Sequence, residues 1–155
     1  MRLELIEYTC ATCGIKFDAP GLPESAYGEF LLRSKRGTLR YLNALSDATY
    51  TEVDCLLARE HVLASAQNQL ERSKVLRKVY GPIACDWDDG IFPFQIGMPP
   101  SCPRCHQSGI SSWSFKSPPT AVDVMVADVT HADWMKLSEA EKIARLTAYL
   151  SHGKE

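Results

Sequence analysis

Two pairs of cysteines constrain this sequence more than any other feature. Two residues separate Cys10 from Cys13 and Cys102 from Cys105, and residues 14–101 lie between the pairs. This spacing places both thiols of a pair on one tight turn, where both can face the same metal ion. Two such turns supply the four tetrahedral ligands that zinc favours in structural sites. The pattern therefore predicts one structural Zn²⁺, whose closed shell of thiolates leaves no position for water or substrate.

The residues around the cysteines carry a resemblance to a known family. Residues 8–14 (YTCATCG) and 100–106 (PSCPRCH) resemble the paired knuckles of zinc-ribbon, or rubredoxin-like, proteins, with Gly14 after the first pair and Pro103 inside the second. The resemblance implies that all four paired cysteines are ligands. It is limited to the two knuckles, and zinc ribbons occur in nucleic-acid binders, docking modules and enzymes, so it implies no particular function.

Other interpretations of the cysteines compete with zinc. Residues 102–106 match the pattern for covalent haem attachment, but that chemistry needs an exported chain, and acids interrupt the N-terminal segment where a signal peptide needs an apolar run. A redox-active dithiol precedes a helix, whereas strand-like residues follow Cys105. Four unrelated buried cysteines are the third alternative. Cys55 and Cys85 lie outside the pairs and are predicted to be small buried hydrophobes.

The composition is typical of a folded protein without a membrane anchor. Hydrophobic residues make up 45% of the chain and charged residues 23%, and the net charge is -2. No segment approaches the ~20 consecutive apolar residues of a membrane span. We therefore expect a cytoplasmic protein, whose thiols stay reduced and available to a metal. The middle of the chain is mildly basic, but too weakly so for a nucleic-acid signature.

Hydrophobic periodicity predicts strands near both ends of the chain. Residues 2–9 run directly into Cys10 and suit a short strand that leads to a knuckle. Residues 110–115 and 121–129 follow the second knuckle, and in the latter alternate valines share one face. Residues 29–33 remain ambiguous between strand and helix.

Helix signals occupy the middle and the end of the sequence. Capping-box patterns begin at Thr49 and at Ser138, where a hydroxyl and a carboxylate satisfy free backbone amides. The first predicts a helical region from about Tyr50, with a break or an exposed arm. It should end at Gly81-Pro82, because proline lacks the next N–H donor.

These elements together predict an α+β fold with two units. Residues 1–19 and 100–155 are expected to form a small zinc-ribbon β unit that includes a C-terminal helix. Residues 20–99 are expected to form a large, mainly helical insertion that ends in an acidic, aromatic loop. Zinc would join the two ends of the chain.

The candidate partner-binding residues lie in that loop: Asp86, Trp87, Asp88, Asp89 and Phe92. If exposed, carboxylates beside large rings would anchor a basic protein partner. Alternatively, the rings fold back onto the core and the acids only keep the loop soluble. The loop lacks the closing Glu of an EF-hand, which argues against calcium. Trp113 and Trp134 are predicted to be core residues.

The residues favour a non-enzymatic protein-binding module stabilised by zinc. A bacterial inhibitor or immunity-type protein that covers a basic partner such as a nuclease is its most specific form. The alternative is a nucleic-acid-binding zinc-ribbon regulator, which would use two basic clusters: Arg33, Lys35, Arg36 and Arg40, and Arg72, Lys74, Arg77 and Lys78. The histidines match no catalytic motif, and no small-molecule substrate is indicated.

Overall fold

The computed structural model describes residues 1–59 and 68–152, and these residues form an α+β fold with two sheets. Within the described ranges, the strands are β1 (Arg2–Cys10), β2 (Lys16–Gly21), β3 (Glu29–Arg33), β4 (Leu39–Asn43), β5 (Gln95–Ile96), β6 (Ile110–Phe115), β7 (Ala121–Asp123) and β8 (Ala127–Asp128). The helices there are α1 (Ala48–Leu57), α2 (Gln69–Ala84), α3 (Ala132–Met135) and α4 (Glu139–His152). None of these helices combines the length and the apolar character needed to cross a bilayer.

The first sheet is built around β1, as the strand pattern of residues 2–9 predicts. Strand β2 pairs with one edge of β1, while β6 and β7 pair in succession with the other, all antiparallel. The β1–β6 register shifts between Thr9 and Cys10. Strand β1 thus carries the first knuckle at its end and lies beside the strand that follows the second knuckle.

The second sheet has the order β5-β3-β4-β8 and forms one wall of the main core. Strands β3, β4 and β5 pair antiparallel, and the short β8 pairs parallel with β4. Leu32 and Leu42 of this sheet belong to a buried cluster with Val53, Tyr80 and Leu146 from three helices. Burial of these apolar side chains is the main force that holds the helices on the sheet.

The middle of the chain contains strands as well as helices. Residues 20–99 contain β3, β4 and β5 as well as the longer α1 and α2, so strands add to the helices expected there. The ambiguous residues 29–33 form strand β3, because their pairing with β4 buries Leu32 completely. Pairing with a neighbouring strand therefore determines the conformation of residues 29–33, which local periodicity did not.

The second predicted C-terminal strand is divided between the sheets. Residues 121–129 form β7, which pairs with β1, and β8, which pairs with β4. Val124 exchanges backbone hydrogen bonds with Met1, and Val129 donates to the Tyr41 carbonyl. The expected alternation is present, since Val122, Val124 and Val126 are half-buried between exposed neighbours. The segment therefore links the sheets.

Helix α1 begins earlier than the capping-box pattern predicts. Its N-cap is Asp47 rather than Thr49, and the Asp47 carboxylate accepts a hydrogen bond of 2.6 Å from the Tyr50 N–H. Asp is among the most favourable N-cap residues. At the C-terminal end of the chain, the predicted capping box is confirmed by reciprocal bonds between Ser138 and Glu141. The predicted helix break falls partly on residues 60–67, outside the described residues.

Helix α2 continues through Gly81 and Pro82 to Ala84, beyond its predicted end. Pro82 lies in the last turn, where its missing N–H removes only one helical hydrogen bond. Gly81 is needed there because a Cβ atom would lie 2.1 Å from the Phe94 carbonyl oxygen. The glycine thus allows the segment after the acidic loop to pack directly on the helix.

The two C-terminal helices pack against α2. Trp134 of α3 and Leu146 of α4 are almost completely buried in the same cluster as Leu32 and Leu42. Trp134 is therefore a core residue, as predicted. The division into residues 1–19 plus 100–155 and residues 20–99 stays a prediction, and α4 shares its core with the latter group.

Candidate metal centre

The first knuckle follows directly from β1. After Cys10 the chain turns tightly, so that the Gly14 N–H donates to the Cys10 carbonyl at 3.0 Å and the Cys10 N–H donates to the Ile15 carbonyl at 2.9 Å. Gly14 has a φ of 76°, a left-handed conformation that glycine adopts without steric cost. The Thr12 N–H lies 3.4 Å from the Cys10 Sγ. The turn therefore directs a backbone donor at the Cys10 sulfur.

The second knuckle repeats the backbone pattern of the first. The His106 N–H donates to the Cys102 carbonyl at 2.9 Å, and the Cys102 N–H donates to the Gln107 carbonyl at 2.8 Å. His106 has a φ of 62° and thus occupies the position of Gly14. Two equivalent turns from distant parts of the chain face each other.

The four paired cysteines lie together, and each offers a sulfur within 4.8 Å of the other three. Across the knuckles, the Sγ atoms of Cys10 and Cys105 are 3.5 Å apart and those of Cys13 and Cys102 are 3.6 Å apart. A tetrahedral zinc with Zn–S bonds of about 2.3 Å places its sulfurs about 3.8 Å apart. The set is compatible with a metal ion at its centre.

Charge within the cluster also favours a bound cation. The Cys13 N–H is the main cause that lowers the pKa of Cys10 to about 6. Burial raises the pKa of Cys102, but the N–H groups of Cys105 and Arg104 outweigh burial and lower that pKa. For Cys105 the Gln107 N–H acts to lower the pKa, but burial and the neighbouring thiols raise it to about 12. Four thiolates this close need a central positive charge.

The surroundings of the two cysteine pairs argue against a redox-active dithiol. Cys102 and Cys105 face the first pair, and strand β6, not a helix, follows them. This arrangement differs from that of a dithiol activated at a helix N-terminus.

Cys85 is buried, as predicted, and burial raises the pKa of its thiol to about 12. Cys55 is exposed on α1, so its predicted burial is wrong.

Two carboxylates of the acidic loop are used within the protein. Asp86 accepts hydrogen bonds from the N–H groups of Ala132 and Asp133, at 2.9 and 3.0 Å, at the start of α3. Burial raises the pKa of Asp86, but these N–H groups and the Thr130 hydroxyl hold it below its usual value. Asp88 is buried and accepts a 2.7 Å hydrogen bond from the Ser34 hydroxyl. Both residues therefore fix the conformation of the loop.

The remaining loop residues are more accessible. Asp89 is exposed and forms an ion pair with Arg36. Trp87 is 46% exposed although its Nε1–H donates to the Pro82 carbonyl, and the neighbouring Ile91 is 63% exposed. Phe92 is half-buried and Phe94 is buried. The loop is thus partly folded back, with one aromatic and one aliphatic side chain at its surface.

Asp47, Tyr80 and His131 form a partly buried polar cluster that the sequence did not indicate. His131 Nδ1 donates to the Ala84 carbonyl at 2.7 Å, and its Nε2 lies 3.1 Å from Asp47 Oδ2 and 3.2 Å from the Tyr80 hydroxyl. Burial is the main cause that raises the pKa of Tyr80. The cluster joins the start of α1 to α2 and α3. The three residues are far apart in sequence, and no motif marks them.

Several members of the basic clusters already have intramolecular partners. Arg36 pairs with Asp89, and Arg72 donates to Asp54 at 2.8 Å. The guanidinium of Arg40 lies over the Phe94 ring and that of Arg77 over the Phe30 ring. The two ion pairs reduce the positive charge that remains for a phosphate backbone, and the ring contacts hold the other two guanidinium groups against the protein.

Comparison with known proteins adds no family to this geometry. No protein-family model, curated protein or solved structure gives a significant match to the chain. The interpretation of the site therefore rests on the four sulfur positions and on the matching backbone of the two knuckles.

Proposed function

We propose that this protein is a non-enzymatic, zinc-stabilised protein-binding module. The observation that carries the zinc assignment is the approach of all four paired thiols to within 4.8 Å of one another. A Cys₄ set selects zinc over calcium or magnesium because thiolates are soft ligands. A closed shell of four ligands supports folding rather than chemistry at the metal.

The zinc would hold together segments that are distant in sequence. Cys10 ends β1, whereas Cys102 and Cys105 precede β6, which pairs with β1. The first sheet consists of four strands, and three of them are short or at an edge. In such a small β unit, the free energy of zinc binding is used mainly for folding. This role gives the metal a structural purpose without a substrate.

We place the partner-binding surface on the exposed part of the acidic loop, formed by Trp87, Asp89 and Ile91. An exposed aromatic ring beside an aliphatic side chain is a typical binding anchor. Asp86 and Asp88 contribute indirectly, because their hydrogen bonds hold the loop in place. The specific form of the proposal is an immunity-type inhibitor of a basic protein such as a nuclease. Its support is the acidic, aromatic composition of this loop.

Affinity capture with immobilised protein tests the surface. Trp87→Ala and Ile91→Ala should each reduce the recovery of a partner that binds saturably, at least about tenfold, since anchor residues commonly contribute about 2 kcal/mol or more to binding. Met135→Ala is the matched control, because Met135 is exposed on α3. Asp86 and Asp88 should not be used, since their loss would disturb the loop itself. Equal recovery by the Trp87 variant and wild type would refute the placement.

A nucleic-acid-binding regulator is the alternative function. Its candidate cations are partly engaged within the protein, as with Arg36 and Arg72. Binding through phosphates would weaken steeply with salt, because each neutralised phosphate releases counterions. Salt-dependent binding of a DNA duplex or single-stranded RNA, unaffected by Trp87→Ala, would support this alternative and overturn the protein-binding proposal.

A further inference from the structure

A cleft of about 570 Å³ lies between the two sheets, away from the acidic loop. One wall includes Tyr8 of β1 and Trp113 of β6, and the other includes Leu31 and Arg33 of β3. Small-molecule sites commonly enclose about 300–1,000 Å³ between apolar walls with a few polar groups. The cleft therefore has the size and lining of a ligand site.

The wall from the first sheet is aromatic. Tyr8 and Trp113 are opposite each other on paired strands, as are Ile6 and Phe115, so all four side chains share one face. The Trp113 and Phe115 rings meet edge to face with centroids 5.7 Å apart. Trp113, predicted to be a core residue, is instead 59% exposed. This wall suits a flat or apolar ligand body.

Arg33 supplies a buried hydrogen-bond donor on the opposite wall. Its Nε atom is buried, with no hydrogen-bond partner among the residues that the structure describes. Glu29, an acid that lines the same cleft, already accepts the Tyr41 hydroxyl. Arg77 also lines the cleft and adds a second guanidinium. A buried guanidinium donor that lacks an acceptor favours an anion that can reach it.

We propose that the cleft binds an organic anion, with its carboxylate or phosphate on Arg33 and its aromatic or apolar body against Trp113 and Phe115. The guanidinium offers a planar fork that matches both oxyanions. Tyr8 lines the same cleft, and its hydroxyl is a further hydrogen-bond donor. This site is independent of the proposed partner surface, which lies on the loop around Trp87.

Titration of the full chain, purified with zinc, tests the site by NMR. The anionic probes are 2-naphthoate and adenosine 5′-monophosphate, and their neutral counterparts are 2-naphthalenemethanol and adenosine. We expect at least one anion to shift the Arg33 Nε–H and Trp113 Nε1–H signals saturably, with an affinity at least about tenfold above that of its neutral counterpart. Which anion binds distinguishes a carboxylate from a phosphate ligand.

Two variants of Arg33 separate binding from a structural role. Arg33→Met should abolish anion binding and leave the thermal midpoint unchanged or raised, because Met can be buried without an acceptor. Arg33→Lys keeps the charge but loses the fork, and should weaken binding at least about fivefold. Arg2→Met is the control, since Arg2 is exposed and outside the cleft lining; it should bind as wild type does.

Three results would overturn the proposal. The first is the absence of saturable shifts at Arg33 and Trp113 with either anion. The second is equal binding of an anion and its neutral counterpart, which would leave no role for the guanidinium. The third is wild-type affinity in Arg33→Met or Arg33→Lys, whichever folds.

Discussion

Gly14 and His106 occupy equivalent positions in the two knuckles, and both have a left-handed backbone, with φ values of 76° and 62°. Each donates its N–H to the carbonyl of the first cysteine of its pair. A left-handed conformation suits glycine but costs about 1–2 kcal/mol for a residue with a Cβ atom. The sequence therefore meets the same backbone requirement without cost in one knuckle and with cost in the other.

Substitutions at these two positions should differ in their effect on the free energy of unfolding. Gly14→Ala should lower the free energy of unfolding by about 1–2 kcal/mol through the backbone alone, because a Cβ there would meet nothing within 4 Å. His106→Gly should leave it unchanged or raise it by up to about 1 kcal/mol. Urea denaturation with zinc present measures both. Loss of metal in His106→Gly would contradict this account, because it would indicate that His106 is a metal ligand.

Asp47 should be a larger contributor to stability than an ordinary helix cap. Asp47→Ala removes the cap of α1, the acceptor of the Tyr80 hydroxyl and the carboxylate beside His131, so we expect a loss of about 2–4 kcal/mol. Asn68→Ala is the matched control, since Asn68 caps α2 through a 2.8 Å bond from the Glu71 N–H at an exposed site. It should cost about 1 kcal/mol. Equal losses in the two variants would show that the contacts of Asp47 with Tyr80 and His131 add nothing to stability.

The two unpaired cysteines should differ in reactivity and in its pH dependence. The thiolate is the form that iodoacetamide alkylates, and a pKa raised to about 12 by burial leaves Cys85 mostly protonated at pH 8. At pH 8 we expect it to react about a thousandfold more slowly than an ordinary thiol, and its rate should still rise about tenfold per pH unit through pH 9, where the rate of an ordinary thiol levels off. Cys55 is exposed and serves as the internal control. Peptide mass spectrometry after timed alkylation reads both, and similar rates would contradict the buried placement.

The sequence predicted elements whose signals are local. The CxxC spacing predicted that the four cysteines lie together, hydrophobic alternation predicted β1 and β6, and a capping box predicted the start of α4. Each of these patterns involves residues that are neighbours along the chain. The physical cause of the structure is then already present in a short segment.

The elements that were missed depend on distant partners. The strand character of residues 29–33 arises from pairing with β4, and the division of residues 121–129 arises because β1 and β4 belong to different sheets. Trp113 is exposed because β6 lies at the edge of the first sheet, beside the cleft. No local pattern reports which side of a sheet will be covered.

The same distinction applies to the candidate sites. The knuckles could be recognised from sequence, but the internal use of Asp86 and Asp88 depends on α3 and on Ser34, which are remote from the loop. Arg33 was identified as part of a basic cluster, yet its position facing an aromatic wall needed the packing of two sheets. Composition indicated the charge of these residues but not their partners.

Metal analysis of the purified chain tests the central claim most directly. Inductively coupled plasma mass spectrometry should find one zinc per chain in wild type and in Cys55→Ser, because Cys55 lies outside the cluster. Cys10→Ser and Cys102→Ser should lose the metal and, with it, the cooperative unfolding transition of the first sheet. A wild-type protein that is stably folded without metal, or that keeps its zinc in both Ser variants, would contradict a structural four-cysteine zinc site.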